Sequence, residues 1–163
     1  FNERFNIDRK FMELNKVDFT LSKNAIVLDK SLKNLKWITP HYPNNPGYEL
    51  SKLIELKEIL LKDKNNKIIL TNYQILPSLI ELKNISPNKW FDVQSVPNIN
   101  SKYFQLYKNF FIQNIKSQDI TIIYYMGLKI KYLKNILDNN CYEISPVNEI
   151  ASKIDISKCF NNF

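Results

Sequence analysis

The chain has 163 residues, 44% of them hydrophobic and 13% aromatic, and a formal net charge of +7. That is long enough to bury a core and too apolar for a disordered chain. No apolar run reaches the ~20 residues that span a bilayer, and two glycines in the whole sequence exclude a Gly-rich phosphate cradle.

The positive charge invites a nucleic-acid or anionic-lipid partner. Only Arg4 and Arg9 are arginines, however, and the lysines are dispersed among Glu and Asp. Base and phosphate readers favour arginine forks, so the charge reads as a solvated surface and no nucleic-acid partner is expected. The chain begins at Phe1 without Met or a signal-peptide pattern, which predicts a piece of a longer protein.

In chain order, residues 1–14 read as a helix with Ile7, Phe11 and Leu14 on one face. Residues 15–34 are an irregular lead-in, with Asp29 placed to cap a one-turn helix carrying Leu32 and Leu35. "KWI" reads as a short buried strand. A loop follows, "TPHYPNNPG", which opens onto a helix over "YELSKLIELKEILLKDK". "KIIL" reads as a strand and "ILPSLIELKN" as a short helix with Pro77 in its first turn. Residues 86–100 hold three turn clusters and no lasting period, which predicts a long loop with one short strand at Trp90–Val93.

Ser101 then caps a helix over 101–117. Phe104, Tyr107, Phe111 and Ile115 form its core stripe, widened by Leu106 and Phe110. "ITIIYYM" is the strongest strand signal, β-branched and aromatic. "KIKYLKNILDNN" reads as a helix, "CYEI" as a last strand and "SPVNEIASKI" as a closing helix. Apolar strands alternating with amphipathic helices predict one α/β domain over 1–163. Its fold class is a three-layer, mostly parallel, doubly wound, Rossmann-like sheet with helices on both faces.

In that architecture ligands bind beyond the carboxyl ends of the strands. The ends fall at Thr39-Pro40-His41-Tyr42, Thr71-Asn72-Tyr73-Gln74, Tyr125-Met126-Gly127 and Ser145-Pro146. Hydroxyls, amides and aromatic rings suit neutral polyols such as sugars. The ligand-binding residues read from this are Thr39, His41, Tyr42, Asn72, Tyr73, Gln74, Tyr125 and Gly127. Both glycines fall at or near these ends, where a tight turn or a close backbone approach is expected. His41 has no catalytic partner by spacing, and no strand end carries a carboxylate pair. Cys141 and Cys159 lack CxxC spacing and one histidine cannot complete a zinc set, so no metal site is expected. Two buried free thiols are the plain expectation for these cysteines; a disulfide is open to them in an oxidising compartment. No cofactor motif is present.

The stretch "LKNLKWITPHYPNNPGYELSKLIELKEILLKDKNNKIILTNYQILPSLI", continued by "SPNKWF" and "NSKYFQLYKNFFIQNIKSQDITIIYYMG", resembles the soluble C-terminal region of bacterial integral-membrane glycosyltransferases. These use polyprenyl-phosphate-linked sugars and are akin to dolichyl-phosphate-mannose protein mannosyltransferases. The similarity spans about residues 10–145. It implies a domain on the extracytoplasmic, periplasmic side of the cell membrane, tethered by an upstream segment. Its partners would be a sugar or polyprenyl-phosphate sugar and an acceptor. In that class the catalytic acid lies in a loop near the first membrane spans, so no catalytic residue carries over to this chain. The function expected is therefore a non-catalytic domain that aids sugar or acceptor binding. The alternatives are a self-contained small glycosyltransferase-like or hydrolase-like enzyme and a protein-interaction module.

Overall fold

A computed structural model describes residues 17–71, 74–91, 95–126, 130–137 and 140–162. The predicted helix over 1–14 lies outside them, as do Asn72, Tyr73 and Gly127. The described residues up to Glu55 form one compact unit and those from Leu56 onward another.

The first unit is built from local polar contacts. Asp18, Asn24 and Asp29 each accept a hydrogen bond from the backbone N–H two residues on, at 2.9–3.1 Å, and so start three 3₁₀ turns. These are turns that short polar side chains nucleate without tertiary help. Strand β1 (Lys23–Asn24) pairs antiparallel with β2 (Lys36–Trp37). The predicted buried strand "KWI" is thus a two-residue strand of a small ladder, with Lys36 exposed and Ile38 outside it.

Helix α1 (Pro46–Lys62) begins two residues earlier than its leucine pattern indicates. Asn45 caps it, accepting from the Tyr48 N–H at 3.1 Å, and Pro46 takes the first helical position, where no N–H is needed. Leu50, Leu53, Leu56 and Leu60 form its buried stripe.

The second unit holds a four-stranded sheet in the order β3-β4-β6-β5, comprising β3 (Lys67–Leu70), β4 (Ile122–Met126), β5 (Glu143–Asn148) and β6 (Ala151–Asp155). Helices α2 (Ile75–Leu79) and α3 (Phe104–Ser117) lie between β3 and β4, and α4 (Lys131–Ile136) follows β4. One face presents Ile68, Leu70, Ile123, Tyr125 and Ile154 to a core shared with Phe104, Phe111 and Ile115 of α3 and Leu133 and Ile136 of α4. On the other face Tyr124 donates to Asp63, just past α1, at 2.7 Å, and Lys153 pairs with the same carboxylate at 3.3 Å.

This is not the doubly wound sheet that the element order suggests. Only β3 and β4 are parallel; β6 runs antiparallel to both β4 and β5. The reason lies in the C-terminal segment, where the expected closing helix is a β-hairpin. Ser152, Ile154 and Ile156 alternate with Ala151, Lys153 and Asp155, and pairing with the fully buried β4 selects that period of two over a helical one. Pro146 sits on the edge strand, beside a register shift, where its missing N–H breaks no ladder.

Four other differences stand out. Helix α3 starts at Phe104, after a turn in which Ser101 Oγ accepts from the Tyr103 N–H at 3.3 Å. Leu106 and Phe110, expected to widen its core stripe, are 70% and 50% exposed. Cys141 and Cys159 are not free thiols but a buried disulfide. The hairpin register causes this: Glu143 faces Asp155, which brings the residues flanking the two strands together. A bridge closing a loop of this length contributes about 3 kcal/mol. Of the strand expected at Trp90–Val93, Trp90 and Phe91 are not in a strand and the remainder lies outside the described residues.

Candidate functional site

The segment after β2, conspicuous for its prolines, is a joint whose polar groups are used internally. Glu49, in the first turn of α1, is fully buried. Its carboxylate accepts from Trp37 Nε1 at 2.8 Å and from Thr39 Oγ1 at 2.9 and 3.0 Å. An acid in a first turn also meets the positive end of the helix dipole. Tyr42 stacks at a tilt on Tyr48, centroids 5.9 Å apart, and Lys52 Nζ lies 5.7 Å from the Tyr48 ring centre. His41 is exposed in the turn. Gly47 is the second residue of α1, and a Cβ there would make only ordinary contacts, the nearest at 3.7 Å to Lys23 Cε. Neither a tight turn nor a close approach requires glycine at that position.

The other expected ligand residues do not assemble as a strand-end crevice. β2 is not part of the four-stranded sheet, and Ser145-Pro146 lie inside β5 instead of beyond its end. Tyr125 points into the core, its ring edge-on to Phe91 at 5.8 Å. Burial raises its phenol pKa well above the ordinary value, and the hydroxyl has no hydrogen-bond partner among the described residues. Among the described members of the set, Gln74 lines a cleft.

That cleft, about 410 Å³, lies between α2 and the segment 81–89 that follows it. Its walls are set by the way α2 ends. Leu82 N–H bonds to Pro77 O at 3.0 Å and Glu81 N–H to Ser78 O at 3.3 Å, with Glu81 at φ 50°. This is the helix stop that glycine usually makes, built here with glutamate. The chain then runs out and is pinned on three sides. Asn84 Nδ2 donates to Lys67 O on β3 at 3.2 Å. The side chain of Gln118, at the end of α3, bonds both the N–H and the carbonyl of Ile85, at 2.7 and 2.8 Å. Asn88 accepts from Tyr107 Oη at 2.6 Å and donates to Ser95 O at 3.2 Å. From the opposite wall Gln74 Nε2 donates to the Thr71 and Lys89 carbonyls.

These bonds consume amide donors and leave acceptors. Gln74 Oε1 and Asn84 Oδ1 accept no hydrogen bond from any described residue. Ser86 Oγ is buried at the cleft wall with no partner among them. Glu81 and Lys89 add one charge of each sign, and Pro77, Leu82 and Ile85 an apolar lining. The Ser86 hydroxyl thus keeps hydrogen-bonding capacity that no described residue uses.

Compared with protein-family models, with curated proteins and with solved structures, the chain matches none.

No described residue hydrogen-bonds Ser86 Oγ. No cluster of three or more metal-binding side chains occurs among the described residues. Sequence reasoning missed Glu81, Asn84, Ser86 and Asn88. Glu81 and Asn84 were expected in the helix over 75–84, which in fact stops at Leu79, and Ser86 and Asn88 in the loop that follows; the anchors of this segment, Gln118 and Tyr107, lie 33 and 19 residues away.

Proposed function

We propose that the chain is a non-catalytic binding domain whose cleft between α2 and residues 81–89 takes a neutral hydroxylated ligand, a sugar unit foremost. The observation that carries this is the unpartnered Ser86 hydroxyl, set in a cleft that also holds the free acceptors of Gln74 and Asn84. Vicinal hydroxyls donate to such carbonyls and accept from such a hydroxyl, and C–H faces suit the Pro77, Leu82 and Ile85 lining. The volume falls within the ~300–1,000 Å³ of ordinary small-molecule sites.

The resemblance to polyprenyl-phosphate-sugar glycosyltransferases supports the same ligand class. On that reading the domain serves a membrane enzyme from the extracytoplasmic side, tethered by an upstream segment and aiding sugar or acceptor binding. The buried disulfide supports an oxidising compartment. The self-contained enzyme is the weaker reading, because no described residue hydrogen-bonds the Ser86 hydroxyl as a general base would.

The test is a titration of the isotope-labelled chain with a panel of neutral monosaccharides, followed by amide and side-chain amide shifts. Saturable shifts confined to Gln74, Asn84, Ser86 and Asn88, abolished in Ser86→Val, are expected. Shifts centred on the 39–48 joint, or none anywhere while Ser86→Val leaves the spectrum otherwise native, would overturn the reading.

A further inference from the structure

Helix α3 carries two apolar stripes, and the core takes only one. Phe104, Phe111 and Ile115 are buried. Tyr103, Leu106 and Phe110, spaced i, i+3 and i+7, lie side by side on an adjoining flank and are at least half exposed. The loop before the helix extends this flank. Gln118 holds Ile85 and Tyr107 holds Asn88, which lays residues 85–90 along the helix. Ile85 and Trp90 are exposed there, at 73% and 50%. An apolar surface of this extent on one side of one element calls for an occupant.

The charge around it selects the occupant. From Leu82 to Gln118 the sequence has five lysines against a single acid, Asp92, although the whole chain carries 16 acids. Two of these lysines stand over the patch's own aromatics: Lys89 Nζ is 5.1 Å from the Trp90 ring centre and Lys102 Nζ 4.9 Å from that of Tyr103. Helix α3 has no acid along its length. Aliphatic and phenyl groups at the centre, with Trp, Tyr and lysine beside them, match the layers of an anionic bilayer surface. A second copy of the chain would set lysines against lysines. Nucleic acid would leave Ile85 and Leu106 without a stacking partner, and no described residue is an arginine.

The geometry points to this flank of α3, with residues 85–90, as a surface that seats on an anionic lipid bilayer. Leu106 and Phe110 enter the acyl boundary, and Trp90, Tyr103, Lys89 and Lys102 lie at headgroup level. This contact needs no ligand in the cleft and stands if the sugar reading fails.

The test is sedimentation of the chain with phosphatidylcholine vesicles, with and without phosphatidylglycerol, alongside light scattering of the free chain. Binding to the phosphatidylglycerol vesicles is expected, weakened by salt and accompanied by a blue shift of tryptophan emission that disappears in Trp90→Phe. Leu106→Glu with Phe110→Glu should weaken binding by roughly tenfold or more, and Lys89→Gln with Lys102→Gln by a few fold. Should the double glutamate variant fail to fold, the single change Leu106→Gln, at the most exposed of the three stripe positions, should still weaken binding measurably. The proposal is overturned by absence of sedimentation with anionic vesicles or by unchanged binding in the folded variants. A dimer dissociated by Leu106→Gln would assign the patch to a second copy instead, and retention on single-stranded nucleic acid lost in the same variant would assign it there.

Discussion

Residues 35–49 and residues 74–89 are both polar, rich in turn formers and placed between regular elements, yet they end in opposite states. In the first, Trp37 and Thr39 direct their donors onto a fully buried Glu49 carboxylate, and the prolines stiffen a closed joint. In the second, the amide donors are used to pin the segment, while the Ser86 hydroxyl and two side-chain carbonyls have no partner among the described residues. Composition cannot separate the two states, because both draw on the same residue types. Completing a hydrogen-bond set stabilises a fold, and an incomplete one leaves bonding capacity unused.

The sharpest way to break this contrast is Glu49→Ala. It removes the shared acceptor of two part-buried donors and leaves a void, so a loss of about 3 kcal/mol is expected in urea unfolding, without loss of ligand binding at the cleft. A mild effect would mean that the joint is held by something else.

Asp63 offers a second closed set, within the sheet unit. Burial acts to raise its pKa, but hydrogen bonds from Tyr124, Asn65 and Lys153 prevail and hold it at about 2. Because the folded value lies below the unfolded one, the stabilisation is complete above pH ~4 and is lost as the pH falls toward 2. About 2 kcal/mol should disappear across that window. Asp63→Asn should show no such step when its unfolding free energy is followed against pH.

Glu81→Gly tests whether the left-handed helix stop carries a cost. Gly relieves the Cβ crowding at φ 50° but loosens the unfolded chain, so a net gain of about 0.5–1 kcal/mol is expected from thermal unfolding. Smallest of all, Ser86→Ala should change stability by no more than about 0.5 kcal/mol, with a gain more in keeping than a loss, since it removes an unpaired buried hydroxyl. A loss above 1 kcal/mol would show that Ser86 is structural and that the cleft resembles the joint after all.

Individual elements were legible because their signals are local. The existence of α1 follows from leucine spacing, though its buried stripe takes Leu56 and leaves the expected Leu61 half exposed; the Asp29 turn follows from an Asx side chain that needs only its own backbone, and β4 from a run of β-branched and aromatic residues. Sheet direction was not legible. The residues of β5 and β6 accept either period, and only the neighbouring β4, buried on both faces, made the antiparallel hairpin the better way to satisfy their backbone. Of the site residues expected, Gln74 lines the cleft, while Thr39 is bound to Glu49 and Tyr125 lies in the core.

By itself, then, the sequence determined which segments are helical or extended where periodicity and capping are local, and that no Gly-rich phosphate loop exists. Tertiary structure decided the strand directions, the pairing of Cys141 with Cys159 and the incomplete hydrogen-bond set at Ser86. Each of these depends on which distant partner arrives to meet a group, and residue order does not state that.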